Sequence, residues 1–486
     1  MMALPMRALR WRPAGAMMAT GLCAAGLGLA TGPPPSTAPV AHSIRQLGAR
    51  LLADEGWIMT GTGTPDPSAA YLNAVEADYL TTANFSGQPT FDGYTFTALD
   101  TPEDFCPFVC VAGEPSQNFG QSLATGVAEL NAKILPQLLA GDDVTVFGYS
   151  QSATIATIEM QDLIANAGQA GYPSLAELRD LHVVMIGDPN NPIGGMLDRL
   201  QFPDDNHVPF VNIPLSIDAT PSADISSVIY TGEYDGFGDF PQDASNLLAD
   251  INALIGIETV HGYYPHDTSA ELSSAVDIGS LGTDKFYVIP ENLPILQFMF
   301  NGGTAGQFFG DFFSPWLRLD IDWGYGNAGD PAVDGYYKIA AGPNINGSAY
   351  EQAFGVAGGS WAETPEGKLY DGSSVLGLFD KMDPLQMLAG TDNALIQSLV
   401  GPWADVAAAA NGGTLSAGDL STITSITGFL QEVTGYDLLN SLDHAMLTAL
   451  GPSTADALFD GTDIPGNDGL LGLVGGIFDV FNVFGA

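Results

Sequence analysis

A serine, an aspartate and a histidine stand in this chain where acyl-transfer chemistry could use them. Ser150 lies in VTVFGYSQSATIA, residues Val144 to Ala156, where a β-branched run meets Gly-x-Ser-x-Ser and then helix-forming residues. Such a strand, turn and helix elbow presents a nucleophile on a strained bend, and small residues two places to either side let strand and helix approach. Gly148 and Ser152 meet that steric demand, Ser152 in place of the usual glycine. A serine hydroxyl becomes a useful nucleophile when an imidazole takes its proton, and the imidazole needs a carboxylate to set its tautomer. In an α/β-hydrolase order the acid follows the nucleophile and the histidine comes last. Of the six histidines, His42 ends the N-terminal segment and His182 opens an apolar run, leaving His207, His261, His266 and His444. The run SSVIYTGEYDGFGDFP ends in a polar turn carrying Asp235 and Asp239, where this fold would mount its acid. Asp235 is nearer the strand end, and His261 in TVHGYY follows it. Ser150, Asp235 and His261 are therefore the expected relay, with Asp239 and His266 as the substitutes for acid and base. Asp188 in IGDPNNP comes one strand too early and reads as a turn residue.

The oxyanion of acyl transfer needs preorganised donors, normally including the backbone N–H of the residue after the nucleophile. Here that residue is Gln151. A second donor could come from Gly61, Thr62 or Gly63, where the short apolar run GWIMT passes into a glycine turn. Phosphate binding by GTGTP is the weaker reading, because it lacks both the P-loop lysine and the three-glycine dinucleotide spacing.

The elements that must position these residues follow from periodicity. Leu123, Val127, Leu130 and Ile134 recur at helical spacing, and that helix should end between Pro136 and Gly141. Ala153, Ala156, Met160 and Leu163 mark the packing face of the helix after Ser150. Apolar runs at His182–Ile186, Ser227–Thr231 and Phe286–Ile289 are separated by segments long enough for crossovers, which predicts a mainly parallel sheet between helical layers. Past about Asp322 the composition shifts, and from Asp383 to Ala486 there is no Lys or Arg. Asn393–Val400 and Leu438–Leu450 still read as helical, so this is an ordered accessory region; the terminal GLLGLVGGIFDVFNVFGA is apolar and broken by glycines, and reads first as packing on the core, with capping of an acyl-binding groove or contact with lipid as the alternatives.

The 486 residues are 46% hydrophobic and 14% charged, which suits a globular protein with a sizeable core. Thirteen Lys and Arg against 56 Asp and Glu give a net charge of -43, a field that repels phosphate backbones and excludes nucleic acid as a partner. Arg7, Arg10 and Arg12 precede a run of Ala, Gly, Met and Leu from Ala14 to Gly32 and then three prolines. That pattern reads as an export signal, or as an N-terminal anchor if it is not removed. Cys106 and Cys110 in CPFVC are spaced to bridge in an oxidising compartment and so to fix one loop. No second Cys or His pair has the spacing of a zinc site.

GTGTPDPSAAYLNAV, GYSQSATIA, GDPNNPIGG, YDGFGDFP, TVHGYY and FYVIPENLPIL, spread in order between Trp57 and Tyr325, together resemble the PE-PPE domain of mycobacteria and their relatives. The resemblance implies a cutinase-like serine α/β hydrolase in which Gly-x-Ser-x-Ser is a regular form, with Ser150 as nucleophile, Asp235 as acid and His261 as base. It implies a stand-alone member without a PE or PPE helical region, with the hydrolase domain at 43–325; the export or anchor segment at 1–42 precedes it, and the acidic, apolar accessory region at 326–486, of unknown role, lies outside the likeness. The expected function is that of an exported serine esterase or lipase of the secreted or cell-envelope space, using no cofactor and acting on an acyl ester or lipid. Acyl transfer onto a trehalose-type envelope glycolipid is the alternative, and a non-catalytic envelope scaffold the second.

Overall fold

The computed structural model describes residues 54–112, 115–197, 207–208, 213–214, 217–241, 246–267, 269–323, 325, 384–412 and 415–434. The proposed export segment, Leu438–Leu450 and the apolar C-terminal run lie outside the described residues.

The strands are β1 (Glu55–Ile58), β2 (Thr95–Ala98), β3 (Val144–Tyr149), β4 (Leu181–Ile186), β5 (His207–Val208), β6 (Ile213–Pro214), β7 (Ser226–Gly232), β8 (Val276–Leu281) and β9 (Asp284–Ile289). Seven of them form one sheet in the order β2-β1-β3-β4-β7-β9-β8, and β5 pairs with β6 separately. Every pairing in the large sheet is parallel except β8 with β9. β3 and β4 sit in the middle and are buried along almost their whole length, which is why they read as continuous apolar runs rather than alternating ones.

Helices of ten residues or more are α1 (Phe119–Ala140), α2 (Gln151–Asn166), α3 (Leu247–Gly256), α4 (Gly303–Trp323), α5 (Pro384–Ala410) and α6 (Ala417–Thr434). Asn118 starts α1 with a reciprocal capping box to Gln121, and Gly141 stops it at φ 81°, a left-handed conformation that suits glycine. The apolar stripe of α1 (Leu123, Leu130, Ile134) packs with Ala153, Met160 and Leu163 of α2 against Val146, Val183 and Ile229 on one face of the sheet. On the other face Ile58, Phe147, Val184, Tyr230 and Tyr287 pack with Val75, Tyr79 and Leu80. Val146 and Phe147 are sequence neighbours pointing into opposite layers, the period of two that a sheet covered on both sides requires. This is the mainly parallel three-layer α/β-hydrolase arrangement that the sequence predicts.

Beyond the sheet, α4 packs beside α3 and carries α5, and α6 packs on α5. Ile396, Val400, Ala404 and Ala408 of α5 share a small core with Ile423 of α6. The Asn393–Val400 expectation thus falls inside a longer helix. Among the described residues no helix is long and apolar enough to cross a membrane.

Candidate active site

Ser150 follows β3 and precedes α2, and it holds φ 57° and ψ -117°. A non-glycine residue at positive φ costs on the order of 1–3 kcal/mol and persists only where its surroundings enforce it. The enforcement is visible on both sides. A Cβ on Gly148 would lie 2.8 Å from the Ser152 carbonyl oxygen and 2.9 Å from the Ala153 nitrogen, so only glycine lets strand and helix meet. On the other side the Ser152 hydroxyl accepts from the Tyr149 N–H at 2.8 Å and donates to the Tyr149 carbonyl at 3.1 Å. Serine therefore fits where glycine is usual, because its hydroxyl closes the bend it helps to form.

Asp235 lies in the turn after β7 and His261 at the end of one wide π-type turn, Ile257–His261, that continues α3. The structure brings both to Ser150. His261 Nε2 is 2.7 Å from Ser150 Oγ, and His261 Nδ1 is 2.9 and 2.8 Å from the two oxygens of Asp235. Asp235 is fully buried and His261 nearly so. The carboxylate also accepts from the Phe237 N–H at 2.9 Å and the Tyr264 hydroxyl at 2.8 Å. The Tyr264 oxygen in turn accepts the Gly232 N–H at 2.6 Å. Burial, with the Asp235 charge next in importance, pushes the Tyr264 phenol well above its usual range, so it stays protonated as a donor. The imidazole is fenced by Phe237 edge-on at 4.8 Å and Tyr149 at 5.5 Å, while the Tyr149 hydroxyl donates to the His261 carbonyl at 2.6 Å. Gly187, at φ 53°, comes so close that a Cβ there would sit 2.9 Å from His261 Cε1.

The substitutes do not reach this chain of hydrogen bonds. Asp239 is buried in the same turn, but its carboxylate accepts the Tyr234 N–H at 2.8 Å and so shapes the turn around Asp235. His266 is exposed on the short turn after Tyr263. Asp188 is fully buried and takes the Asn190 N–H and the Thr220 hydroxyl, the turn role read from the sequence; burial raises its carboxyl to about 6.

Gln151, the first residue of α2, places its N–H at the helix N-terminus beside Ser150. Its buried side chain is a clamp. Gln151 Nε2 donates to Ser122 Oγ at 2.7 Å and the Asp104 carbonyl at 3.3 Å, while Oε1 accepts the Thr62 hydroxyl at 2.8 Å. The Asp104 carbonyl can only accept, which fixes which end of the amide faces it and commits the Thr62 hydroxyl proton to Gln151. Gly61 abuts the nucleophile: a Cβ there would be 3.2 Å from Ser150 Cβ. The Gly63 N–H is instead engaged by the Glu103 carbonyl at 2.7 Å. It stiffens the turn and does not face the nucleophile as a spare donor, which narrows the glycine-turn candidates to Gly61 and Thr62.

Cys106 and Cys110 are joined in a disulfide whose loop leans on the glycine turn through Val109. Asp104 holds that loop by accepting the Val111 and Gln117 N–H groups at 2.6 and 2.9 Å. Phe108, Val109 and Tyr263 expose apolar surface on the loops beside the site. Among the described residues no group of His, Cys, Asp and Glu is arranged to hold a metal ion.

The matched stretch, residues 92–326, is that of the PE-PPE domain and contains Ser150, Asp235 and His261. The chain carries a PE-PPE domain. β1 and the Gly61–Gly63 turn precede the matched stretch, although the PE-PPE likeness read from the sequence began at Trp57. The chain is similar to Esterase PE16 of Mycobacterium tuberculosis (strain ATCC 25618 / H37Rv), 37% identical over 278 residues, which are 56% of this chain and 48% of that protein. It is also similar to SL1278 acyltransferase Chp1 of the same organism, 30% identical over 244 residues, 48% of this chain and 54% of that one. The chain thus spans about half the length of the curated relatives it matches. Among solved structures, a cutinase-like protein from Cryptococcus sp. shares 20% identity over 38% of this chain and 79% of its own, with a TM-score of 0.24.

Several residues of the PE-PPE domain site carry no signal in the sequence. Tyr264 and Tyr149 read as ordinary core aromatics, and Ser122 as one polar position on an apolar helix. The Asp104 carbonyl that orients the Gln151 amide belongs to the backbone, where side-chain identity says nothing.

Proposed function

We propose that the PE-PPE domain is a serine esterase that cleaves acyl esters through an acyl-enzyme. The observation that carries this reading is the unbroken chain of hydrogen bonds Ser150 Oγ–His261–Asp235 at 2.7 and 2.8 Å, mounted on a strained elbow. As Ser150 Oγ attacks the ester carbonyl, its proton passes to His261 Nε2. Asp235, already accepting Nδ1–H, stabilises the imidazolium and keeps the tautomer that leaves Nε2 able to accept. The oxyanion forms opposite the Gln151 N–H at the start of the 16-residue α2, with the Thr62 backbone as the second donor held in place by Gln151 Oε1. His261 then gives its proton to the leaving alkoxide, an alcohol departs, and a water activated by the same nitrogen hydrolyses the acyl-serine. The apolar rim of Phe108, Val109 and Tyr263 suits an acyl chain. The similarity to a protein named an esterase supports the same class.

Transfer to an alcohol is the second reading, favoured by the similarity to a protein named an acyltransferase. It needs only that an acceptor hydroxyl replace water in deacylation. Secretion to the cell envelope belongs to the same proposal, resting on the N-terminal Arg and Ala pattern. The test is hydrolysis of p-nitrophenyl esters of graded chain length by the wild type and Ser150→Ala, with and without trehalose as acceptor. Turnover that disappears in the variant supports the esterase; acylated trehalose formed faster than free acid moves the assignment to transfer; wild-type and variant rates that match overturn both.

A further inference from the structure

Helix α4 is inside out. Asp311, Ser314 and Arg318 face inward, with 2, 6 and 1% of their surface exposed, and Arg318 is paired with Glu233 at 3.1 Å. Phe309, Phe312, Phe313 and Trp316, spaced at i, i+3, i+4 and i+7, expose 38–54% of theirs. A helix on an aqueous surface shows the reverse polarity. α5 turns an apolar face inward yet also carries an exposed apolar ridge of Leu395, Leu399 and Trp403, Trp403 at 64%. The two helices pack together, and Phe308 of α4 meets the Trp403 ring edge-on at 5.9 Å. With 150–250 Å² per aromatic side chain, the four aromatics of α4 and Trp403 expose about 500 Å² between them, the upper range for the largest patch on an ordinary monomer. Helix α3, which packs beside α4 and leads into the His261 turn, adds Leu247, Ile251 and Leu254, each about half exposed.

We infer that this face seats the protein on an uncharged lipid surface, with zwitterionic or neutral headgroups. Charge selects that occupant. The stretch from Asp383 to Ala486, which includes α5 and α6, contains no Lys or Arg, and the one cation described on α4 is turned inward, so nothing on the face attracts an anionic membrane. Two copies of a chain with a net charge of -43 repel each other, which disfavours covering the face with a second copy. An uncharged lipid surface removes apolar area from water without either conflict. No described helix is long and apolar enough to cross a bilayer, so the helices lie on the surface. This inference does not rest on the esterase reading.

The experiment is flotation of the full chain with phosphatidylcholine vesicles in low and high salt, in parallel with phosphatidylglycerol vesicles. The variant is Phe312→Gln/Phe313→Gln/Trp403→Gln, and hydrolysis of a water-soluble ester is measured on the same preparations. The expected result is salt-insensitive flotation with phosphatidylcholine, weaker flotation with phosphatidylglycerol, and a roughly 100-fold loss of partitioning in the variant. Quenching of wild-type tryptophan emission by brominated phosphatidylcholine gives a readout that does not depend on the variant folding. Absence of flotation and quenching in the wild type overturns the inference, as does a folded variant that floats equally well. A wild-type dimer that becomes monomeric in the variant assigns the face to a second copy and also overturns it. Absent ester hydrolysis in preparations that float would count against the esterase alone.

Discussion

Replacing Tyr264 with phenylalanine removes one oxygen from the site and leaves its shape. That oxygen donates to Asp235 Oδ2 at 2.8 Å and accepts the Gly232 N–H at 2.6 Å, and Tyr264 is fully buried. Losing a hydrogen bond to a buried carboxylate removes about 1.5–3 kcal/mol, and stranding the buried Gly232 N–H adds about 1–3 kcal/mol. Together the expected loss is about 2.5–6 kcal/mol, a large part of the 5–15 kcal/mol that typically separates folded from unfolded domains. Asp235 keeps its bonds to His261 and the Phe237 N–H, but Oδ2 loses one of its two partners. If that loosening weakens stabilisation of the imidazolium by ~1.4 kcal/mol, kcat falls about tenfold. KM for a small soluble ester should barely change, because Tyr264 is sealed behind His261 and does not line the rim. Urea unfolding of wild type and Tyr264→Phe, with steady-state kinetics below the onset of unfolding, measures both quantities. A stability change under ~1 kcal/mol together with an unchanged kcat would refute the view that Tyr264 holds the acid.

Three further outcomes are expected. Ser150→Gly and Ser150→Ala should both abolish ester turnover, yet the glycine variant should be more stable than the alanine variant by ~1 kcal/mol, since only glycine occupies φ 57° and ψ -117° without strain; thermal melts of the pair decide it. Arg318→Met should cost about 3–5 kcal/mol in denaturant titrations, because it leaves Glu233 buried without its cation. Burial raises the carboxyls of Glu103 and Glu159 to about 8, so the folded state keeps protons that the unfolded chain has already lost. Stability should therefore fall as pH rises from about 4.5 to about 8, and Glu103→Gln should flatten that slope in melts taken across the range; a slope that is unchanged or of opposite sign refutes the assignment.

The sequence was most informative where geometry forces residue type. The elbow shows in Gly148 because a Cβ there would strike backbone and in Ser152 because its hydroxyl closes the bend on Tyr149, and β3 and β4 show as unbroken apolar runs because both their faces are covered. The choice of Asp235 over Asp239, made on distance from the strand end, places the carboxylate that the structure sets against His261. The edge strands were silent. β2 is a half-exposed TFTA at the margin, and β8 pairs antiparallel with β9 through a tight turn at Gly282, inside a segment that reads simply as a crossover. The Gly63 N–H was misplaced as a donor because its partner is the carbonyl of Glu103, a residue itself held at φ 47° that no spacing rule would select. α4 was illegible as a surface helix because its polarity is reversed, so periodicity alone assigns its aromatic stripe to a core.

The bond from Tyr149 to the His261 carbonyl makes the nucleophile's own strand the reference for the base. Ser150 and the tyrosine that steadies His261 are consecutive residues, so a displacement of β3 carries both partners of the proton transfer together. The path from Asp235 to His261, through a polar turn and a whole helix, can then drift or change length without resetting the gap between oxygen and nitrogen. Insertions in that excursion should be tolerated far better than a one-residue change at the end of β3, and an engineer seeking room for a different acyl group would begin there.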